Sequence, residues 1–199
     1  MTRTVHPIEE ESYRILRAIV DLSHLPPLSR AVTERVIHAS ADLGYADDLV
    51  LDEASLASGL AALRAGAEVV VDARMVAAGI TARRARCVLD QEGSDALPTR
   101  CAAAVRQSVA KLGAGAVWVI GCAPSALGAL LDSDARPALV IGLPVGFVGA
   151  VEAKAALAAS GLPALTNRSA KGGSAVAAAA LNALLYHDRS PEMPQGGQR

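Results

Sequence analysis

Residues 141–154 read Ile141-Gly142-Leu143-Pro144-Val145-Gly146-Phe147-Val148-Gly149-Ala150-Val151-Glu152-Ala153-Lys154. The apolar run from Ala138 to Ile141 has the length and composition of a buried strand. It breaks at Gly142, and the backbone passes Pro144, Gly146 and Gly149 before a helical pattern begins near Ala150. Strand, glycine-rich turn and helix in succession are the building unit of an α/β fold. Glycines at this spacing let main chain approach a ligand closely, because no Cβ intervenes. They also leave amide N–H groups pointing outward where a helix begins, which suits an anion. The same stretch equally suits a tight strand-to-helix turn with no ligand.

Outward from this unit the alternation continues. Short apolar runs at 49–51, 68–71, 86–89, 116–120, 138–141 and 164–166 read as strands. Helical patterns at 53–65, 73–78, 99–112, 124–131, 150–159 and 174–185 separate or follow them. Strands this short and rich in Val and Ile predict a parallel sheet covered on both faces. Right-handed crossovers then favour an α/β, doubly wound, flavodoxin-like arrangement. An N-terminal helical segment precedes it: one helix over 9–20, a break at Pro26-Pro27, and a second helix over 29–43 with Val32, Val36, Ala39 and Leu43 as its apolar stripe. Residues 1–185 are expected to form one domain, and 186–199, with two prolines and two adjacent glycines, read as a disordered tail. In such a sheet, ligands sit beyond the carboxyl ends of the strands, which selects the turns at 72–74, 121–125, 142–149 and 167–173.

Composition bounds the partners. The 199 residues suffice for one substantial core; 52% are hydrophobic but only 3% aromatic, so alanine and aliphatic side chains must fill it. A net charge of −1 argues against nucleic-acid binding, which needs a basic surface. No apolar stretch is long enough for a membrane span, and residues 1–11 are too polar for a signal core. Cys87, Cys101 and Cys122 are too few and too scattered for a metal site and suit a reducing, cytoplasmic setting as small buried residues.

His38 stands out as a candidate general acid. On a helical wheel it lies away from the apolar stripe, with Glu34 and Asp42 one turn to either side to favour the imidazolium, and Arg35 opposing them. A solvated surface histidine has the same pattern. Arg35 suits carboxylate binding or an intrahelical ion pair; Ser12 is a hydroxyl on the first helix; Arg100 follows Thr99 at a helix start and is a carboxylate clamp or a plain surface cation. In Lys171-Gly172-Gly173-Ser174, the glycines permit a nest of amides for a carboxylate, and Ser174 suits an N-cap.

Several ordered blocks carry a resemblance. They are Pro7-Ile8 with Ser12 and Ile15, Arg35-Val36-Ile37-His38-Ala39, Asp72 with Met75-Val76, and Gly79-Ile80-Thr81. Thr99-Arg100, Ile120-Gly121 with Ala123-Pro124, the 141–154 stretch and Gly172-Gly173-Ser174 follow in the same order. From about His6 to Leu185 the chain resembles the precorrin-8X methylmutases of cobalamin biosynthesis, the cobalt-precorrin-8 methylmutase branch included. That resemblance implies the same doubly wound fold and an isomerase. The reaction it implies moves a methyl group from C-11 to C-12 of a tetrapyrrole, a 1,5-sigmatropic shift to a hydrogenobyrinate-type corrin needing no redox or group-transfer cofactor. His38 falls where the family has its catalytic histidine, Ser12 and Arg35 fall at substrate-contacting positions, and Arg168 matches a basic position upstream of the Gly-Gly-Ser turn. The implied partner is a polycarboxylate tetrapyrrole, precorrin-8, and the family is dimeric, so a homodimer is expected.

The chain departs from the family pattern at named places. Cys122 stands where Asn is usual, Ala170 where a second arginine is common, Leu97-Pro98 where Gly-Asn precedes Thr-Arg, and Val71 where Cys is frequent. A tetrapyrrole carrier that has lost turnover is the second reading these departures suit. A nucleotide or flavin binder is the third, opposed by the lack of Gly-x-Gly-x-x-Gly after the first strand and of a Walker-type Gly-Lys-Ser.

Overall fold

The computed structural model describes residues 6–90 and 99–187. In chain order the elements are α1 (Pro7–Ile19), α2 (Pro27–Ser40), the single turn α3 (Tyr45–Asp48), β1 (Leu49–Val50), α4 (Glu53–Arg64), β2 (Val69–Val71), α5 (Arg74–Gly79) and β3 (Arg86–Cys87). They continue as α6 (Arg100–Lys111), β4 (Val117–Ile120), α7 (Pro124–Leu131), β5 (Leu139–Gly142), α8 (Ala150–Ala159), β6 (Ala164–Asn167) and α9 (Ser174–Tyr186). Every strand and helix expected from the pattern forms, with ends moved by a few residues. The expected tail begins too early by at least one residue, since Tyr186 ends α9; its remainder from 188 onward, and Leu97-Pro98, lie outside the described residues.

The strands join in one sheet in the order β1-β6-β5-β4-β2-β3. β1 runs antiparallel to β6, pairing Leu49 with Asn167, and all other neighbours are parallel. Counted from β2, the five parallel strands follow the flavodoxin order 2-1-3-4-5. Strand residues alternate between two cores because successive side chains point to opposite faces. Val69, Val71, Val117, Val119, Leu139 and Ile141 pack toward α4, α5 and α9, whereas Val70, Trp118, Ile120 and Val140 pack toward α6, α7 and α8. Small residues allow close approach: a Cβ on Gly59 of α4 would lie 2.8 Å from the Cβ of Leu139.

Outside this sandwich, α2 lies on α9 and α1 lies on α2. The buried stripe of α2 is therefore Val32, Thr33, Val36 and Ile37; Ala39 and Leu43, expected inside, are exposed. The helix also starts two residues earlier than expected, because Pro27 occupies its first turn, where the missing N–H is no loss. It ends at Ser40, before Leu43, because Ala41 turns left-handed with φ 54°. β3 is shorter than its apolar run because the chain coils into a 3-10 turn at Val88–Asp90.

Leu139 of β5 is fully buried against α4. Leu139→Ala is expected to lower stability by about 2–5 kcal/mol, read from the shift of a urea unfolding midpoint.

Candidate active site

Two clusters contain most of the candidate residues. The first lies between α1 and α2. Pro7 starts α1, and the His6 side chain accepts the Ile8 N–H to cap it. One turn on, Ser12 Oγ lies 2.8 Å from His38 Nδ1. The adjacent Tyr13 stacks on the imidazole, centroids 4.9 Å apart and planes within 20°. With Nδ1 paired to the hydroxyl, Nε2 is the nitrogen left for a substrate. Arg35 is mostly buried: its Nη1 is 3.4 Å from Glu9 Oε1 and 3.5 Å from the Tyr13 hydroxyl, and its guanidinium lies 5.2 Å from the Tyr186 ring centroid. Ser12, Arg35 and His38 are thus brought together.

The expected carboxylate neighbours of His38 are engaged elsewhere. Glu34 holds Arg17 of α1 in a two-pronged pair at 2.9 and 2.7 Å, and Asp42 holds Lys171 at 2.9 Å. Both carboxylates are taken by cations that approach from outside α2, Arg17 from α1 and Lys171 from the turn before α9, in charge-assisted hydrogen bonds.

The second cluster lies at the carboxyl edge of the sheet, around residues 167–174. Its centre is Lys154, fully buried, whose ammonium donates to Asn167 Oδ1 at 2.9 Å, to the Lys171 carbonyl at 2.7 Å and to the Ser169 carbonyl. Burial draws Lys154 down to about 8, opposed by the nearby charge of Asp48. Asp48 in turn accepts the Asn167 amide and the Ser169 N–H and hydroxyl at 2.7–2.8 Å. Burial pushes its carboxyl up, but these donors outweigh it and leave Asp48 below the ordinary carboxylate range. Arg168 turns back to the carbonyls of Asp47 at 2.7 Å and Leu49 at 3.4 Å. Lys171 reaches Asp42 and covers the ring of Tyr45, whose phenol burial pushes up to about 12.

Gly172 and Gly173 have φ of 151° and 122°. Any Cβ on Gly172 would strike the Leu143 carbonyl oxygen, so only glycine fits. The Gly173 N–H donates to that same carbonyl at 2.8 Å, so this amide, expected in an anion nest, is already bonded. Gly173 takes the N-cap position expected for Ser174, which is instead the first helical residue, with its hydroxyl paired to Cys122 Sγ. Arg100 stands apart as the exposed first residue of α6, behind Thr99, which caps the helix and meets Ser125 Oγ at 2.8 Å.

Asp72 closes the point where the strand order reverses. Fully buried at the end of β2, it accepts the N–H groups of Gly121, Cys122 and Ala123 at 2.8–3.0 Å. Burial pushes its carboxyl above the ordinary range despite these three donors. The turn after β5 exposes Val145, Phe147 and Val148, with Phe147 fully in solvent. Among the described residues, no three His, Cys, Asp or Glu side chains gather as a metal site, and no helix is long and apolar enough to cross a membrane.

A family model described as precorrin-8X methylmutase matches residues 7–187. The chain belongs to the precorrin-8X methylmutase family. The precorrin-8X methylmutase of Pseudomonas aeruginosa is 43% identical over 194 residues, covering 89% of this chain and 93% of that one. The cobalt-precorrin-8 methylmutase of Salmonella typhimurium is 37% identical, covering 92% and 95%. The solved precorrin-8X methyl mutase of Thermus thermophilus superposes with a TM-score of 0.85 at 37% identity, covering 92% and 98%. These methylmutases are isomerases of cobalamin biosynthesis, so the fold and family read from the ordered blocks agree with both comparisons. Tyr13, Asp48 and Lys154 were not singled out by the sequence. A lysine in the alanine-rich 150–159 helix was the one available signal for the last.

Asp48 sits below its unfolded value, so its stabilisation is present at neutral pH and fades as pH falls through the folded-state value. Asp48→Asn is expected to cost about 1.5–3 kcal/mol at pH 7 and progressively less toward pH 3, measured as melting temperature against pH. A constant deficit across that range would refute the charge-based account.

Proposed function

We propose that this chain is an isomerase that moves a methyl group from C-11 to C-12 of precorrin-8, or its cobalt form, to give a hydrogenobyrinate-type corrin. In this reading His38 is the general acid. The observation that carries it is the Ser12–His38 pair at 2.8 Å, with Arg35 on the same surface of α2, in a chain of the methylmutase family.

The chemistry asks little of a catalyst beyond placement. As one C–CH3 bond breaks the other forms within a single molecule, so no redox or group-transfer partner enters the balance. The protein must hold the macrocycle, exclude competing shifts and deliver a proton that traps the product tautomer. Substrate and product are isomers, so the proton leaving His38 is matched by one lost elsewhere on the macrocycle, which restores the imidazolium. An imidazole can both give up and take back a proton, which suits both steps.

Carboxylate recognition falls to Arg35, Lys171, Arg100, Ser12 and Ser174. Arg35 is pre-held among Glu9, Tyr13 and Tyr186, which reduces the freedom it would lose on binding. Arg168, Gly172 and Gly173 serve recognition by shaping the turn that carries Lys171 and Ser174, since Arg168 and the Gly173 amide already have backbone partners. The enzyme would work in a reducing cytoplasm, which its three free thiols suit. It would work as a homodimer, supported by the exposed Ile8, Ile15 and Ile19 of α1 and by Phe147 and Val148. Sedimentation should give twice the chain mass at micromolar concentration; a monomer there would remove the dimer from the proposal.

Mixing the purified chain with precorrin-8 should produce the stable corrin visible spectrum, and His38→Ala should slow it by about 10²–10⁴-fold. A variant as fast as wild type would sink the acid role. Tight binding without conversion by the wild type would replace the isomerase by a tetrapyrrole carrier.

A further inference from the structure

Tyr13 has no part in the chemistry above, yet it touches both residues that do most in it. Its ring is stacked on His38 with centroids 4.9 Å apart, and its hydroxyl lies 3.5 Å from Arg35 Nη1. Arg17 sits with its Cζ 5.6 Å from the Tyr13 centroid while gripping Glu34. Tyr13 is therefore fixed at its ring and at its hydroxyl by charged groups that are themselves paired.

A hydrogen bond at Nδ1 pins one atom of an imidazole but leaves the ring free to swing about that bond. A neighbour stacked on its face removes the swing. Ser12 and Tyr13 are consecutive on α1, so one turn of helix supplies both restraints, and together they define the direction of Nε2.

We propose that Tyr13 is a positioning residue: its ring sets the plane of His38, and its hydroxyl ties Arg35 into the same unit. The inference rests on the reading of His38 as proton donor, and one of its two tests does not. In carbon–proton NMR spectra without substrate, the His38 ring protons should resonate upfield through the ring current of Tyr13. The signal is assigned by its loss in His38→Ala, one of only four histidines in the chain. Tyr13→Phe should keep the upfield position and Tyr13→Leu should lose it.

Turnover on precorrin-8 gives the second readout. Tyr13→Leu should lower kcat roughly 10- to 100-fold with KM changed less than about threefold, since misdirected chemistry and not binding is the defect. Tyr13→Phe should restore kcat and show at most a small rise in KM from the looser Arg35. An unshifted His38 signal in the wild type would overturn the proposal without any variant having to fold. So would a folded Tyr13→Leu with wild-type kcat. Should the wild type fail to convert precorrin-8, the proposed reaction falls, and the imidazole spectra alone decide whether Tyr13 holds the ring.

Discussion

A buried ammonium must place all three of its protons on acceptors, and Lys154 meets that demand with Asn167, Ser169 and Lys171. Much of the site's geometry follows from it. Asn167, its Oδ1 taken by Lys154, turns its amide to Asp48, and Asp48 then orders Ser169. That brings α3 and the antiparallel β1 against the end of β6. The chain from Arg168 to Gly173 is bent over the Leu143 carbonyl, where only glycine can stand. Lys171 leaves this turn toward Asp42, just past the end of the helix that carries His38. An apolar residue of similar length at 154 would take the donor from Asn167 Oδ1 and leave the Ser169 and Lys171 carbonyls to share the Asn167 amide, and an unmet buried acceptor costs more than the hydrogen bond itself contributes.

Asp72, a fully buried carboxylate, occupies the reversal point of this doubly wound sheet. In such folds the turn amides beyond the strand ends commonly hold a ligand's anion. Here the amides of residues 121–123 hold Asp72, a carboxylate of the chain itself. These three amides are thus already bonded, and the candidate residues lie mostly on α1, on α2 and in the 167–174 turn. Cys122 fits this arrangement: its backbone N–H bonds Asp72, while its side chain meets Ser174 and packs against the core.

The sheet was legible because each strand is a short Val- and Ile-rich run between helical patterns, a signal that depends on neighbours in sequence alone. What depends on distant neighbours was not. α2 was read as an amphipathic helix with Ala39 and Leu43 inside, but it packs on α9 and buries Thr33 and Ile37 in their place. Glu34 and Asp42 were read as partners of His38 by helical spacing, whereas Arg17 and Lys171 approach from elsewhere and take them. The antiparallel β1 is accompanied by the Asp48–Asn167 hydrogen bond, a contact between residues 119 apart that no local pattern encodes. The weight on His38, Ser12 and Arg35 comes from the ordered family blocks; the helical wheel alone leaves His38 open as either a general acid or a solvated surface histidine.

The orientation of His38, the proposed acid, depends on a helix with little apolar anchorage. Of the residues of α1 only Leu16 is buried, and its ties to α2 include Arg17–Glu34, Ser12–His38, Glu9–Arg35 and the Tyr13 stack. Polar contacts at a partly exposed seam each contribute little to stability, but they are directional, and direction is what a proton donor requires. Apolar packing would hold α1 more firmly without fixing the imidazole. The same side chains thus attach the helix and, in the proposed reaction, aim the histidine, so a substitution among them would act on stability and on that turnover together, and the two effects separate only where a variant such as Tyr13→Phe keeps the ring and drops the polar atom.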